Sequence, residues 1–230
     1  MVDGFEFKDE YSFDDLVNIV KLLRGPGGCP WDREQTHQSI RENFLEETYE
    51  VLEAIDNLDS TLMQEELGDV LLQVVMHADM ARDEEWFDIN KVCNEICQKL
   101  IIRHPHVFGD VTVNSTGDVL KNWDDIKRQT KSQKTQSEAM AAIPATYPAL
   151  MKAQKVQSKA KKAGFDWDNA EGAFLKIEEE SKELKEALEG GNQALVEDEL
   201  GDLLFSAVNV ARFCKCDAET ALEKATKKFM

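Results

Sequence analysis

Residues 65–81 read EELGDVLLQVVMHADMA, and their pattern decides the fold. Leu67, Val70, Leu71, Leu72, Val74, Val75, Met76 and Ala78 are apolar nearly all round a helical projection, which predicts a helix buried in a bundle. Against that background Glu66, Asp69 and Gln73 stand at i, i+3 and i+7, along one stripe. Ionised carboxylates on a mostly buried helix are costly unless a metal ion or a paired cation compensates them. This stretch therefore asks for a cation.

The same stretch occurs twice. EETYEVLEAI (46–55) followed by EELGDVLL (65–72) returns as EESKELKEAL (179–188) followed by DELGDLLF (198–205), at a constant offset of 133. Glu47, Glu50, Glu66 and Asp69 thereby map onto Glu180, Glu183, Glu199 and Asp202. Ala54 with Ala187, Leu67 with Leu200 and Gly68 with Gly201 follow the same offset, so a chance run of charge does not explain the match. The chain reads as a tandem of two related modules. Each acidic helix is preceded by a helix carrying two more acids at i and i+3. An antiparallel pair joined by a short turn can bring all four carboxylates around one point.

Outside these stretches the pattern stays helical. Ser12 with Asp15 resembles a capping box, opening a helix with Phe13, Leu16, Val17, Val20 and Leu23 at helical spacing until Gly25, Pro26, Gly27 and Gly28 stop it. GCPWD reads as a loop. Further helices are predicted over about 40–58, with Phe44, Val51, Ile55 and Leu58 facing the core, and to about residue 82 from a cap at Ser60 or Thr61. Others are predicted over about 89–102, 119–128 and from Pro148 to Gly164, and no segment alternates as a strand would. The polar run KRQTKSQKTQSEA (127–139) reads as an exposed connection, partly helical at most. The expected division is a first module over 1–129, a connection over 130–147 and a second module over 148–230. Gly68 and Gly201, costly inside helices, imply either close approach by a backbone or ligand, or tight helix packing.

Composition narrows the partners. With 230 residues, 42% of them hydrophobic, the chain can bury one large core or two small ones. A formal charge of −18 argues against a nucleic-acid polymer, whose phosphates need many Lys and Arg. An acidic chain can still take a polyphosphate when metal ions supply the positive charge. No apolar run reaches about 18 residues, so no membrane partner is expected. The opening residues lack the layout of a secretion signal, and five cysteines without paired spacing suggest reduced thiols and a cytoplasmic location. A zinc site from Cys93, Cys97, His104 and His106 is conceivable, though buried or partly buried helix cysteines account for the first two more simply.

Oxygen ligands without His or Cys suit a hard ion, Mg²⁺ or Mn²⁺. A di-iron bundle would require Glu-x-x-His pairs, which neither module has. A carboxylate not committed to metal can serve as general base; Glu46 or Glu50 is the candidate in the first module, Glu179 or Glu183 in the second.

EExxE followed by ELGD, the tandem layout, GGCPWD (27–32), RHPHVFGD (103–110) and GFDW (164–167) together resemble the MazG-type nucleoside triphosphate pyrophosphohydrolases, in their two-module bacterial form. The resemblance implies an all-α fold of two helical-bundle modules that assembles into homodimers. It further implies Mg²⁺-dependent hydrolysis of nucleoside triphosphates to monophosphate and pyrophosphate, a housekeeping task in the nucleotide pool. Glu47, Glu50, Glu66 and Asp69, with Glu180, Glu183, Glu199 and Asp202, would be the metal ligands. Lys99 with Arg103 would meet phosphates, and Trp123 with Lys127 would lie near the nucleotide. In the second module Lys228 matches Lys99, but the sequence given stops before positions matching Arg103, Trp123 and Lys127, so the second site is not expected to be an independent catalyst unless another chain or the first module supplies those groups. Two other functions fit the same residues: a metal-binding regulatory or interaction module, above all in the second half, and a phosphohydrolase specialised for a deoxynucleotide or a non-standard base.

Overall fold

A computed structural model of the chain describes residues 5–130 and 135–230. Among the described residues it contains twelve helices and no strand, so the all-α expectation holds. The chain divides into two compact units, Met1–Leu120 and Lys121–Met230. The division falls inside helix α7 (Thr116–Thr130), which carries Trp123 and Lys127.

The first unit is organised on an antiparallel hairpin of α3 (Arg41–Asp56) and α4 (Ser60–Asp83). Helix α1 (Phe13–Arg24) packs on α4, and its Val17 and Val20 join Ile40, Val75, Met76 and Met80 in the core. The Ser12–Asp15 capping box is present: Asp15 N–H donates to Ser12 Oγ, and Ser12 N–H returns a bond to Asp15 Oδ2 at 2.9 Å. A buried ion pair fixes α1 to α4. Arg24 Nε donates to Asp79 Oδ2 at 3.0 Å, and Arg24 also reaches Asp83 Oδ2 and the backbone oxygen of Asp32. GCPWD is not simply a loop, because Pro30 starts a short helix α2 (Pro30–Glu34), as a ring with fixed φ at a first helical position does. Gly28 has no substitute before it, since a Cβ there would lie 2.2 Å from the carbonyl oxygens of Leu22 and Leu23. Helix α5 (Ile89–Arg103) and the single turn α6 (Pro105–Phe108) complete the unit.

Three expectations for this hairpin need correction. Asp59, not Ser60 or Thr61, caps α4, its carboxylate accepting from the N–H groups of Thr61 and Leu62. Ile55 and Leu58 do not face the core: they are 47% and 90% exposed, and Leu58 takes a left-handed φ of 55° that turns it outward. The amino-terminal half of α4 is not enclosed on all sides either. Leu67 and Leu71 are exposed there, whereas Val75, Met76, Ala78 and Met80 further on are buried.

The second unit repeats the hairpin with α10 (Ala170–Gly190) and α11 (Gln193–Phe213). Helix α9 (Ala149–Lys162), which follows Pro148 as expected, packs on α11, on α12 (Ala218–Phe229) and on a short α8 (Gln136–Ala141) that lies within the polar connection. Residues 131–134 of that connection lie outside the described residues. The side chain of Gln154 bonds the backbone at Cys216 and Ala218, and Gln157 donates to Phe205 O at 2.7 Å. In the GFDW motif Asp166 forms an ion pair with Arg212, and Trp167 lies over Gly172. No helix among the described residues is long and apolar enough to cross a membrane.

Candidate metal centres

The first carboxylate group is built by the α3–α4 hairpin. Glu47 on α3 meets Glu66 and Asp69 on α4, each offering an oxygen within 4.8 Å of the others. Glu50, one turn on from Glu47, stands close enough to Glu66 and Glu47 to act on both electrostatically, and so belongs to the same group. Glu66 is only 8% exposed. Burial, followed by the charges of Asp69, Glu50 and Glu46, raises the Glu47 carboxyl above its ordinary range. Burial also raises Glu66, followed by the proximity and charge of Glu50. Among the described residues no Lys or Arg pairs with Glu47, Glu50, Glu66 or Asp69.

The second hairpin gathers Glu180, Glu199 and Asp202 in the same way, again within 4.8 Å. Glu199 is raised, first by burial and then by the charges of Glu183 and Glu180. Glu183 therefore stands close to this group while exposed to solvent. Glu180 is 3% exposed, and its Oε2 has no hydrogen-bond partner. A buried anionic oxygen without a donor is expensive to hold, and a divalent ion satisfies it. The donors are all oxygen, as hard cations prefer, so the residues present fit Mg²⁺. Unlike the first group, this one holds an internal cation: Lys176 Nζ lies 2.6 Å from Glu180 Oε1 and 2.8 Å from Glu179 Oε1.

Other predicted site residues are placed differently. Glu46 is exposed beside Glu47, and Glu179 is bound to Lys176. On α5, Lys99 is exposed and Arg103 is buried. Trp123 and Lys127 are half-buried on α7, and Lys228 is exposed at the end of α12. The structure joins neither Lys99 nor Lys228 to a carboxylate of either group by an ion pair. Cys93, Cys97, His104 and His106 do not converge, since the only ligand groups among the described residues are the two carboxylate sets. Nor are the two cysteines buried: both are exposed on α5. Among the described residues, nothing beyond the helix's own backbone lies within 4 Å of a Cβ built on Gly68 or Gly201, so neither close packing nor backbone approach among them explains these glycines.

Sequence reasoning missed an aromatic assembly further along the α4 stripe. His77 lies two turns beyond Asp69, and its Nδ1 is 2.7 Å from His37 Nδ1, one ring donating to the other. The two imidazoles lie edge to edge in nearly one plane, their centroids 5.0 Å apart; the Trp86 ring lies parallel to His37 at 5.5 Å, and Phe44 of α3 tilts against His77. Burial, then the neighbouring His37, lowers the His77 pKa. Gln73, buried between Asp69 and His77, leaves its Oε1 without a partner. Its place on the stripe was the available signal; His37, arriving from a loop, gave none.

Two carboxylate hairpins in tandem on an all-α scaffold define a class of divalent-metal helical proteins. The chain belongs to the MazG nucleotide pyrophosphohydrolase domain family, whose model matches residues 35–108 and 169–230, spanning both hairpins. It is 50% identical to the nucleoside triphosphate pyrophosphohydrolase/pyrophosphatase MazG of Thermotoga maritima, with 95% of this chain and 82% of that protein aligned. It is 45% identical to the nucleoside triphosphate pyrophosphohydrolase of Escherichia coli K12, over 94% and 83% of the two chains. The uncharacterized protein YabN of Bacillus subtilis is 48% identical over 95% of this chain but only 45% of its own length.

Proposed function

We propose that the chain hydrolyses nucleoside triphosphates to nucleoside monophosphate and pyrophosphate with Mg²⁺, Mn²⁺ serving as a substitute. The observation that carries this reading is the repeated convergence of carboxylate oxygens around one buried glutamate, Glu66 or Glu180, in a family of nucleotide pyrophosphohydrolases. Glu47, Glu50, Glu66 and Asp69 would hold the ion in the first module, and Glu180, Glu183, Glu199 and Asp202 in the second. A divalent ion held there would supply charge neutralisation for the triphosphate and acidify water. A water oxygen attacks the α-phosphorus, its proton passes to a carboxylate oxygen of Glu50 or Glu46, and the bond to the β-phosphate breaks to release pyrophosphate. Glu183 or Glu179 has that role in the copy. Lys99 and Arg103 hold the departing phosphates, Trp123 and Lys127 lie along the nucleotide, and Lys228 serves the second module as Lys99 serves the first.

The role fits housekeeping of the nucleotide pool, and five free thiols fit the cytoplasm. Exposed Leu67 and Leu71, repeated as Leu200 and Leu204, support a homodimer in which a second copy covers these positions. A second reading, that the second module binds metal with little turnover, is favoured by the Lys176 contact inside its carboxylate group. The test is pyrophosphate release against a panel of ribo-, deoxy- and base-modified triphosphates, with and without Mg²⁺. Mg²⁺-dependent release is expected; no turnover on any nucleotide would leave a binding module.

A further inference from the structure

The 133-residue repeat keeps the four carboxylates of each hairpin but changes the residue one turn before the first of them. Position 176 is lysine, and its counterpart 43, one turn before Glu47, is asparagine. In the second module the ammonium lies 2.6 Å from Glu180 Oε1, while Glu180 Oε2 is buried without a donor. Lys176 is half-buried, on the same helix as both its partners and at the i−4 and i−3 positions that bring side chains together. The first module offers its acids no such cation among the described residues; Asn43 carries none.

We infer that Lys176 is a tethered counter-cation that competes with the divalent ion for Glu180, so that the second module binds metal more weakly than the first and fills only at higher metal concentration. Two effects act in the same direction. The ammonium occupies one oxygen of the ligand, and its charge subtracts from the anionic field that draws the ion in; the affinity of such sites follows the charge count of their ligands. The two modules are then graded in metal demand although their ligands are the same. This inference rests on the metal-binding role proposed above.

Titration of the full chain with Mn²⁺ alone, followed by electron paramagnetic resonance of the free ion, tests it without reference to turnover. The wild type should show a tight and a weak class, and Glu66→Gln should remove the tight one. Lys176→Met should tighten the weak class by about tenfold or more, the size associated with one charge-assisted hydrogen bond. Asn43→Lys should weaken the tight class comparably, which keeps the test independent of how well the Lys176 variant folds. A weak class unmoved or weakened by Lys176→Met would overturn the inference, the weakened case making Lys176 a positioning residue for Glu180. One class of equal sites would overturn it while leaving the metal reading intact. No Mn²⁺ binding at all would overturn both.

Discussion

Leu58 and Gly191 occupy the same turn of the two hairpins, both in the left-handed region, with φ of 55° and 68°. Each precedes the residue that caps the second helix, Asp59 or Asn192. A Cβ makes this conformation unfavourable by about 1 kcal/mol or more, and Leu58 is too exposed to recover that by burial. Gly191→Leu should therefore lower stability by about 1 kcal/mol in urea denaturation. Leu58→Gly should raise it by less, because glycine gains freedom in the unfolded chain. A loss of stability in Leu58→Gly would contradict this account of the turn.

Asp79 is the buried partner of Arg24 and is also reached by Arg82 Nη1 at 2.5 Å. Removing one side of a buried ion pair strands the other, so Asp79→Ala should cost about 3–5 kcal/mol. Arg24→Met with Asp79→Leu should recover most of that, since the pair's attraction largely offsets its desolvation. Chemical denaturation of the three variants decides it, and a double variant as unstable as the single one would show that the charges themselves are required.

The His37–His77 contact makes stability depend on pH. His77 titrates below its ordinary 6.5 in the folded chain, so folding disfavours its protonation. Its contribution is fully present above pH 6.5 and is lost as pH falls from there through the lowered folded value. The melting temperature should drop between pH 7.5 and pH 5.5 more in the wild type than in His77→Gln. The comparison cancels the carboxylates, which both proteins share; parallel curves would remove His77 from the account.

Glu47, Glu66 and Glu199 behave with the opposite sign. Their raised folded values mean that the metal-free chain is least penalised below the ordinary 4.5 and loses stability as pH rises through the folded values. Mg²⁺ should therefore raise the melting temperature more at pH 8 than at pH 5. An equal rise at both, read by calorimetry, would place the ion elsewhere.

Glu50 is the exposed member of the first group, and Glu183 is exposed in the second alongside Asp202; Glu50 and Glu183 each interact electrostatically with a raised carboxylate. Glu50→Gln together with Glu183→Gln should reduce Mg²⁺-dependent pyrophosphate release by about 100-fold or more, the contribution expected of a general base. Full activity in the double variant would sink the carboxylate assignment.

Both hairpins were legible in the sequence because an acidic stripe in an apolar helix has few physical explanations, and its repetition removed chance. Helix α2 was not, since its Gly- and Pro-rich surroundings read as a breaker and five residues give no period. Leu58 was misassigned to the core for a different reason: helical spacing continues through it, but the chain leaves the helix there at a positive φ. The His37–Trp86 stack depends on a loop returning to α4, a long-range contact that no local pattern encodes. Lys176 was visible as a residue, yet only the ion pair showed that it enters the carboxylate group.

Gly68 and Gly201 each weaken a helix by about 1 kcal/mol relative to alanine while the space beside them stays open among the described residues. An isolated chain recovers nothing from that flexibility. If a second copy or a nucleotide approaches there, the recovery comes only by mass action, and the protein's melting behaviour becomes a function of its own concentration and of ligand supply. Alanine at these positions would make a sturdier monomer and a poorer participant in whatever closes over it, which separates selection for persistence from selection for use.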